Sequence, residues 1–124
     1  YIKKSIDGAI ASNVVETASL LDAKLIVATT MSGKTAARVS NLRPKCLVLA
    51  TCPNEKVARS LALNFAVYPV VTSVFDSIDK IVEDAKIKAI DFANLKESDI
   101  ILITGGFYND PEFKGTNFMK IERI

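Results

Sequence analysis

The sequence predicts an α/β domain: a mostly parallel sheet with helices on both faces. Three observations lead there. Leu25-Ile26-Val27-Ala28, Cys46-Leu47-Val48-Leu49-Ala50-Thr51 and Ile100-Ile101-Leu102-Ile103 are short continuous apolar runs, the pattern of strands covered on both sides. Segments with apolar residues at three- and four-residue steps separate them, as the crossovers between parallel strands require. The chain closes on Phe118 to Ile124, where apolar and polar residues alternate and no helix intervenes after the fourth strand. The last strand is therefore expected at an exposed edge, antiparallel to the fourth.

Each element follows from its own residues. Ser5 to Asp22 reads as a helix, with Ile6, Ala9, Ile10, Val14, Ala18 and Leu21 on one stripe. Lys24 to Thr29 is the first strand. After the turn Thr30-Met31-Ser32-Gly33, Ser32 is expected to cap a helix from about Gly33 to Leu42 that stops at Arg43-Pro44. The second strand, Cys46 to Thr51, leads to Pro53-Asn54-Glu55. There Asn suits the cap and Glu the positive end of a helix that turns Val57, Ala58, Leu61, Ala62 and Phe65 inward. Val67 to Val71 is a third strand, and Pro69 within it favours a sheet edge. Asp76 is expected to open a longer helix with Ile78, Ile81, Val82, Ala85, Ala89 and Phe92 as its stripe. Asp99 precedes the fourth strand. The order is α-β-α-β-α-β-α-β-β, which packs helices on both faces of the sheet.

The 124 residues make one domain, 1–124, long enough to bury a core. Apolar residues are 49% and charged residues 24%, ordinary for a soluble globular chain. A net charge of +2, from 16 basic and 14 acidic side chains, gives no reason to expect a nucleic-acid partner or an anionic membrane. No apolar run approaches the roughly 18 residues of a membrane span, no signal peptide is visible, and a cytoplasmic location is expected. The chain opens on Tyr1 without an initiator Met and is read as a piece of a larger protein. There is no histidine, which removes triad hydrolysis and His-ligated metal chemistry. Cys46 and Cys52 are expected as small buried or half-buried thiols, not a disulfide or a metal site.

The chemistry concentrates in Thr30-Met31-Ser32-Gly33-Lys34-Thr35, between a buried strand and a helix start. Free N–H groups and the helix dipole favour an anion there. Gly33 permits close approach, Ser32 and Thr35 offer hydroxyls, and Lys34 supplies a charge. Gly33-Lys34-Thr35 imitates the end of a phosphate-binding Walker A loop, but the glycine that motif needs five residues before Gly33 is Ala28, and no acidic residue ends a later strand to hold magnesium. Nucleotide hydrolysis is set aside on those grounds. On residues alone, a phosphate site and a plain capped turn both stay open. A second loop, Gly105 to Gly115, follows the fourth strand and shares a crevice with the turn only if strands one and four are neighbours. Lys80, Lys86 and Lys88 with Glu83 and Asp84 read as a wet helix face, and Arg38, Arg43 and Lys45 as surface charges.

Several motifs in register resemble one family. Ala9-Ile10-Ala11-Ser12 with Val15-Glu16-Thr17-Ala18, then Ala23 through Thr35-Ala36, is similar to the start of the pyruvate kinase C-terminal domain. Leu42-Arg43-Pro44, Val48-Leu49-Ala50-Thr51-Cys52-Pro53-Asn54, Val67-Tyr68-Pro69-Val70, and Thr104-Gly105 through Gly115-Thr116-Asn117 follow in the same order, so the resemblance spans essentially the whole chain. It implies a three-layer α/β/α fold whose mixed five-stranded sheet has the order 3-2-1-4-5, with the last strand antiparallel. It also implies a regulatory and subunit-assembly domain holding a phosphorylated effector, a sugar phosphate or nucleotide monophosphate. Thr30, Met31, Ser32, Gly33, Lys34 and Thr35 match the phosphate-gripping turn. Gly106, Gly115 and Thr116 lie in the loop that closes over the effector, and Lys80 falls near a second phosphate contact. Lys34 stands where the family often has Arg, and Asp110 and Glu112 would oppose a bisphosphate. Catalysis, with its Mg2+ and K+, belongs by this resemblance to barrel and lid domains of a homotetrameric parent enzyme. The domain itself is expected to carry no cofactor and no catalytic residue. Two alternatives remain: a structural interface domain with a degenerate effector site, and a free-standing small-molecule-binding domain of the same fold.

Overall fold

The computed structural model describes residues 5–75, 77–105 and 118–124. Its elements run α1 (Ile6–Leu20), β1 (Leu25–Thr29), α2 (Lys34–Asn41), β2 (Leu47–Cys52), α3 (Glu55–Leu61), β3 (Val67–Val71), α4 (Ile78–Ala93), β4 (Ile100–Gly105) and β5 (Phe118–Arg123). The sheet order is β3-β2-β1-β4-β5. β1 pairs in parallel with both β2 and β4, β2 in parallel with β3, and β5 runs antiparallel to β4. The fold expected from the sequence is the fold observed.

Alternation along the strands divides the core in two. Ile26, Ala28, Val48, Ala50 and Leu102 face Ala11, Val14 and Ala18 of α1 and Ala36 and Val39 of α2. Leu25, Val27, Leu49, Ile101 and Ile103 face Val82, Ala85 and Ala89 of α4. Central strands buried on both faces must be apolar at every position, which is why β1 appears in the sequence as an unbroken run. Pro69 is accommodated because β3 is an edge strand.

Several local expectations change. The cap of α2 is Gly33, with left-handed φ 95°, and not Ser32. α4 is capped by Ser77, whose hydroxyl accepts from the Lys80 N–H at 3.2 Å, and Asp76 lies outside the described residues. In α1 the buried residues are Ala11, Val14 and Ala18, while Ile6 and Leu21 are exposed at its ends. Ala62 and Phe65 do not face inward, because α3 ends at Leu61 and the chain leaves the helix before them. Phe65 instead lies under the Arg43 guanidinium, 4.4 Å from the ring centre. Ile78 and Phe92 lie at the two ends of α4 and are partly exposed. Phe92 packs beside Tyr68 of the edge strand, with ring centres 5.3 Å apart. Cys46 and Cys52 are free thiols, half-buried and buried. Burial pushes both thiols up, which disfavours the reactive thiolate at neutral pH.

Candidate functional site

The site is built at the carboxyl ends of β1 and β4. Thr29 lies directly beside Gly105 in the parallel ladder. The adjacency that periodicity alone does not reveal is therefore present. Gly105 is required there: a Cβ on it would collide with the Thr29 hydroxyl and approach the Thr29 carbonyl oxygen to 2.8 Å. The Thr29 hydroxyl donates to the Thr104 carbonyl at 3.3 Å, and the Thr104 hydroxyl to the Phe118 carbonyl at 2.9 Å. These two buried threonines tie β1, β4 and β5 together below the turn. Sequence reasoning missed both, because Thr within an apolar strand reads as a β-former filling a pleated surface.

Above this floor the chain turns sharply. The Thr30 N–H donates to the Thr51 carbonyl at 2.9 Å, so the turn starts from the β1–β2 pairing. The Thr30 hydroxyl, buried at 3% exposure, accepts from the Gly33 N–H at 2.8 Å and holds Gly33 in its left-handed conformation. Gly33 itself is buried against Leu61, whose Cδ2 would lie 3.3 Å from an added Cβ. The first bond within α2 runs from the Ala37 N–H to the Gly33 carbonyl at 3.0 Å, so the N–H groups of Lys34 and Ala36 have no partner inside the helix. Gly33 has no side chain with which to cap this end, and no acidic residue stands in its first turn. Lys34 and Ser32 are exposed, Met31 is 43% exposed, and Thr35 is buried and bonded. The arrangement offers main-chain N–H groups, the positive end of a helix and one ammonium group to an anion.

Next to this turn lies a crevice of about 20 Å³, lined by Thr30 and Met31 of the turn, Thr51 of β2, Thr72 after β3, and Ile81 and Asp84 of α4. Lys80 is exposed on the first turn of α4, one residue before Ile81, and it too is engaged in an interaction. Asp84 accepts from the Thr72 hydroxyl at 3.0 Å and from Lys88 at 2.9 Å. Two other cations considered from sequence are engaged elsewhere: Arg38 pairs with Asp7 at 3.7 Å, and Arg43 covers Phe65. Gly106, Gly115 and Thr116, expected in the closing loop, lie outside the described residues, as do Asp110 and Glu112. Among the described residues, no three His, Cys, Asp or Glu side chains gather as a metal site would need, and no helix is long and apolar enough to cross a membrane.

Comparison with known proteins agrees with this architecture. The family model described as the pyruvate kinase alpha/beta domain matches residues 8–122. The pyruvate kinase of Clostridium perfringens is 40% identical over 116 residues, covering 94% of this chain and 24% of that protein. That of Clostridium acetobutylicum is 32% identical over 122 residues, covering 98% of this chain and 26% of that protein. A crystal structure of a pyruvate kinase from Cryptosporidium parvum superposes with a TM-score of 0.85 at 27% identity, covering 99% of this chain and 24% of its own. The chain spans about a quarter of the length of these relatives.

Proposed function

The chain belongs to the pyruvate kinase α/β, or C-terminal, domain family, and from that premise we propose that it is the regulatory, effector-binding and assembly domain of a pyruvate kinase. The parent enzyme transfers phosphate from phosphoenolpyruvate to ADP. Its reacting groups, with Mg2+ and K+, lie in domains outside this chain, and this domain supplies binding energy and contacts only. The ligand is a phosphorylated small molecule, a sugar phosphate or a nucleotide monophosphate, with its phosphate on the turn from Thr30 to Thr35.

One observation carries the reading. A helix start without a capping side chain, with a left-handed glycine and a lysine at its first position, stands at the strand ends where β1 and β4 run side by side. In doubly wound sheets that is where ligands bind. The assembly role draws on a second observation. β5 is an open edge strand that keeps Met119 and Ile121 36% and 47% exposed, an apolar strip suited to a second subunit. We assign that subunit to a homotetramer of the parent enzyme.

The test is a panel of sugar phosphates and AMP added to the chain, read as melting temperature, together with activation of the intact enzyme and its Lys34→Ala variant. A ligand that binds the folded state raises the melting temperature, and Lys34→Ala is expected to abolish both that rise and the activation. No rise with any member of the panel at millimolar concentration, and unchanged regulation in Lys34→Ala, would leave the structural interface reading in its place.

A further inference from the structure

Thr51 stands out in the crevice beside the turn. It is 3% exposed, lies on the α4 side of the sheet in line with Leu49, and lines the crevice. Thr29, which lies beside Thr51 in the β1–β2 ladder, and Thr104, near the end of β4, both spend their hydroxyl protons on carbonyl oxygens. Among the described residues nothing bonds to the hydroxyl of Thr51, while its main-chain carbonyl accepts from the Thr30 N–H. A buried hydroxyl without a partner is costly and uncommon. Its neighbours in the crevice lean toward accepting. Asp84 already takes one hydrogen bond on each oxygen and keeps lone pairs on both, and Thr72 has given its proton to Asp84.

We propose that this crevice reads a hydroxyl of the ligand, with Thr51 as the specificity-determining residue. The inference rests on the effector-site reading above and narrows its ligand to a singly phosphorylated sugar. The phosphate takes the turn, where N–H groups and Lys34 donate. One sugar hydroxyl enters the crevice, donating to Asp84 or Thr51 and accepting from the Thr51 hydroxyl. Size excludes a second phosphate there: about 20 Å³ holds one hydroxyl or one water.

Calorimetric titration of the full chain with inorganic phosphate, methyl phosphate and glucose 6-phosphate tests this, using the wild type, Thr51→Val and Thr51→Ser. Thr51→Val keeps the shape and removes only a partnerless hydroxyl, so its melting temperature should be no lower than that of the wild type. It is expected to weaken glucose 6-phosphate about tenfold, the factor one hydrogen bond carries, while inorganic phosphate stays within about twofold. Thr51→Ser should bind like the wild type. Equal losses for both ligands, or no loss for either, would overturn the proposal. Wild-type protein that binds methyl phosphate as tightly as glucose 6-phosphate would overturn it without any variant. Wild-type protein that binds none of the three ligands would overturn the effector site itself, and this inference with it.

Discussion

Two strand-to-helix turns sit side by side in this sheet and end differently. After β2, the Asn54 side chain accepts from the Val57 N–H at 3.0 Å, and Glu55 places a carboxylate in the first turn of α3. That helix satisfies its own positive end with its own side chains. After β1, the chain spends the Thr30 hydroxyl on shaping the turn through Gly33. It then starts α2 with Lys34, a cation against the positive end of the dipole. For stability alone the second turn is the better design. The first gives up a cap and accepts an unfavourable charge, which is what a site for an external anion looks like before the anion arrives.

Substitutions can break that contrast, and the largest effect is expected beneath it. Gly105→Ala drives a methyl group into Thr29, on the buried seam that supports the first turn. We expect a loss of about 3 kcal/mol or more in urea unfolding. Gly33→Ala imposes a left-handed φ on a residue with a Cβ and presses it on Leu61; about 1–2 kcal/mol should be lost, and phosphate affinity with it. Asn54→Ala should cost about 1 kcal/mol and leave ligand affinity untouched, because that turn serves only its own helix. The smallest effect is the most telling. Lys34→Glu makes the first turn resemble the second, so the free chain should gain about 0.5 kcal/mol while phosphate binding disappears. Stability and binding moving in opposite directions at one residue would separate a ligand site from a helix cap.

Much of this architecture was readable from the residues, for physical reasons. Strands buried on both faces have to be apolar throughout, so β1, β2 and β4 showed themselves as runs, and Pro69 marked an edge. The turn was visible because Ser, Gly, Lys and Thr cluster where a strand meets a helix. What was hidden depends on three-dimensional placement. The choice of Gly33 over Ser32 as cap follows from the backbone bending to meet the Thr30 hydroxyl, which composition does not record. Phe65 and Phe92 carry the apolar signal of core residues yet lie at the rim, one under Arg43 and one against Tyr68. Thr51 resembled any other strand threonine until the sheet order and α4 enclosed it.

The central claim is that the turn after β1 binds an anion and the turn after β2 does not. Amide chemical shifts of the isotope-labelled chain during a titration with inorganic phosphate test it most directly. Saturable shifts are expected at Ser32, Gly33, Lys34 and Thr35, with Asn54 to Val57 unmoved. No shift at the first turn, or equal shifts at both, would contradict it.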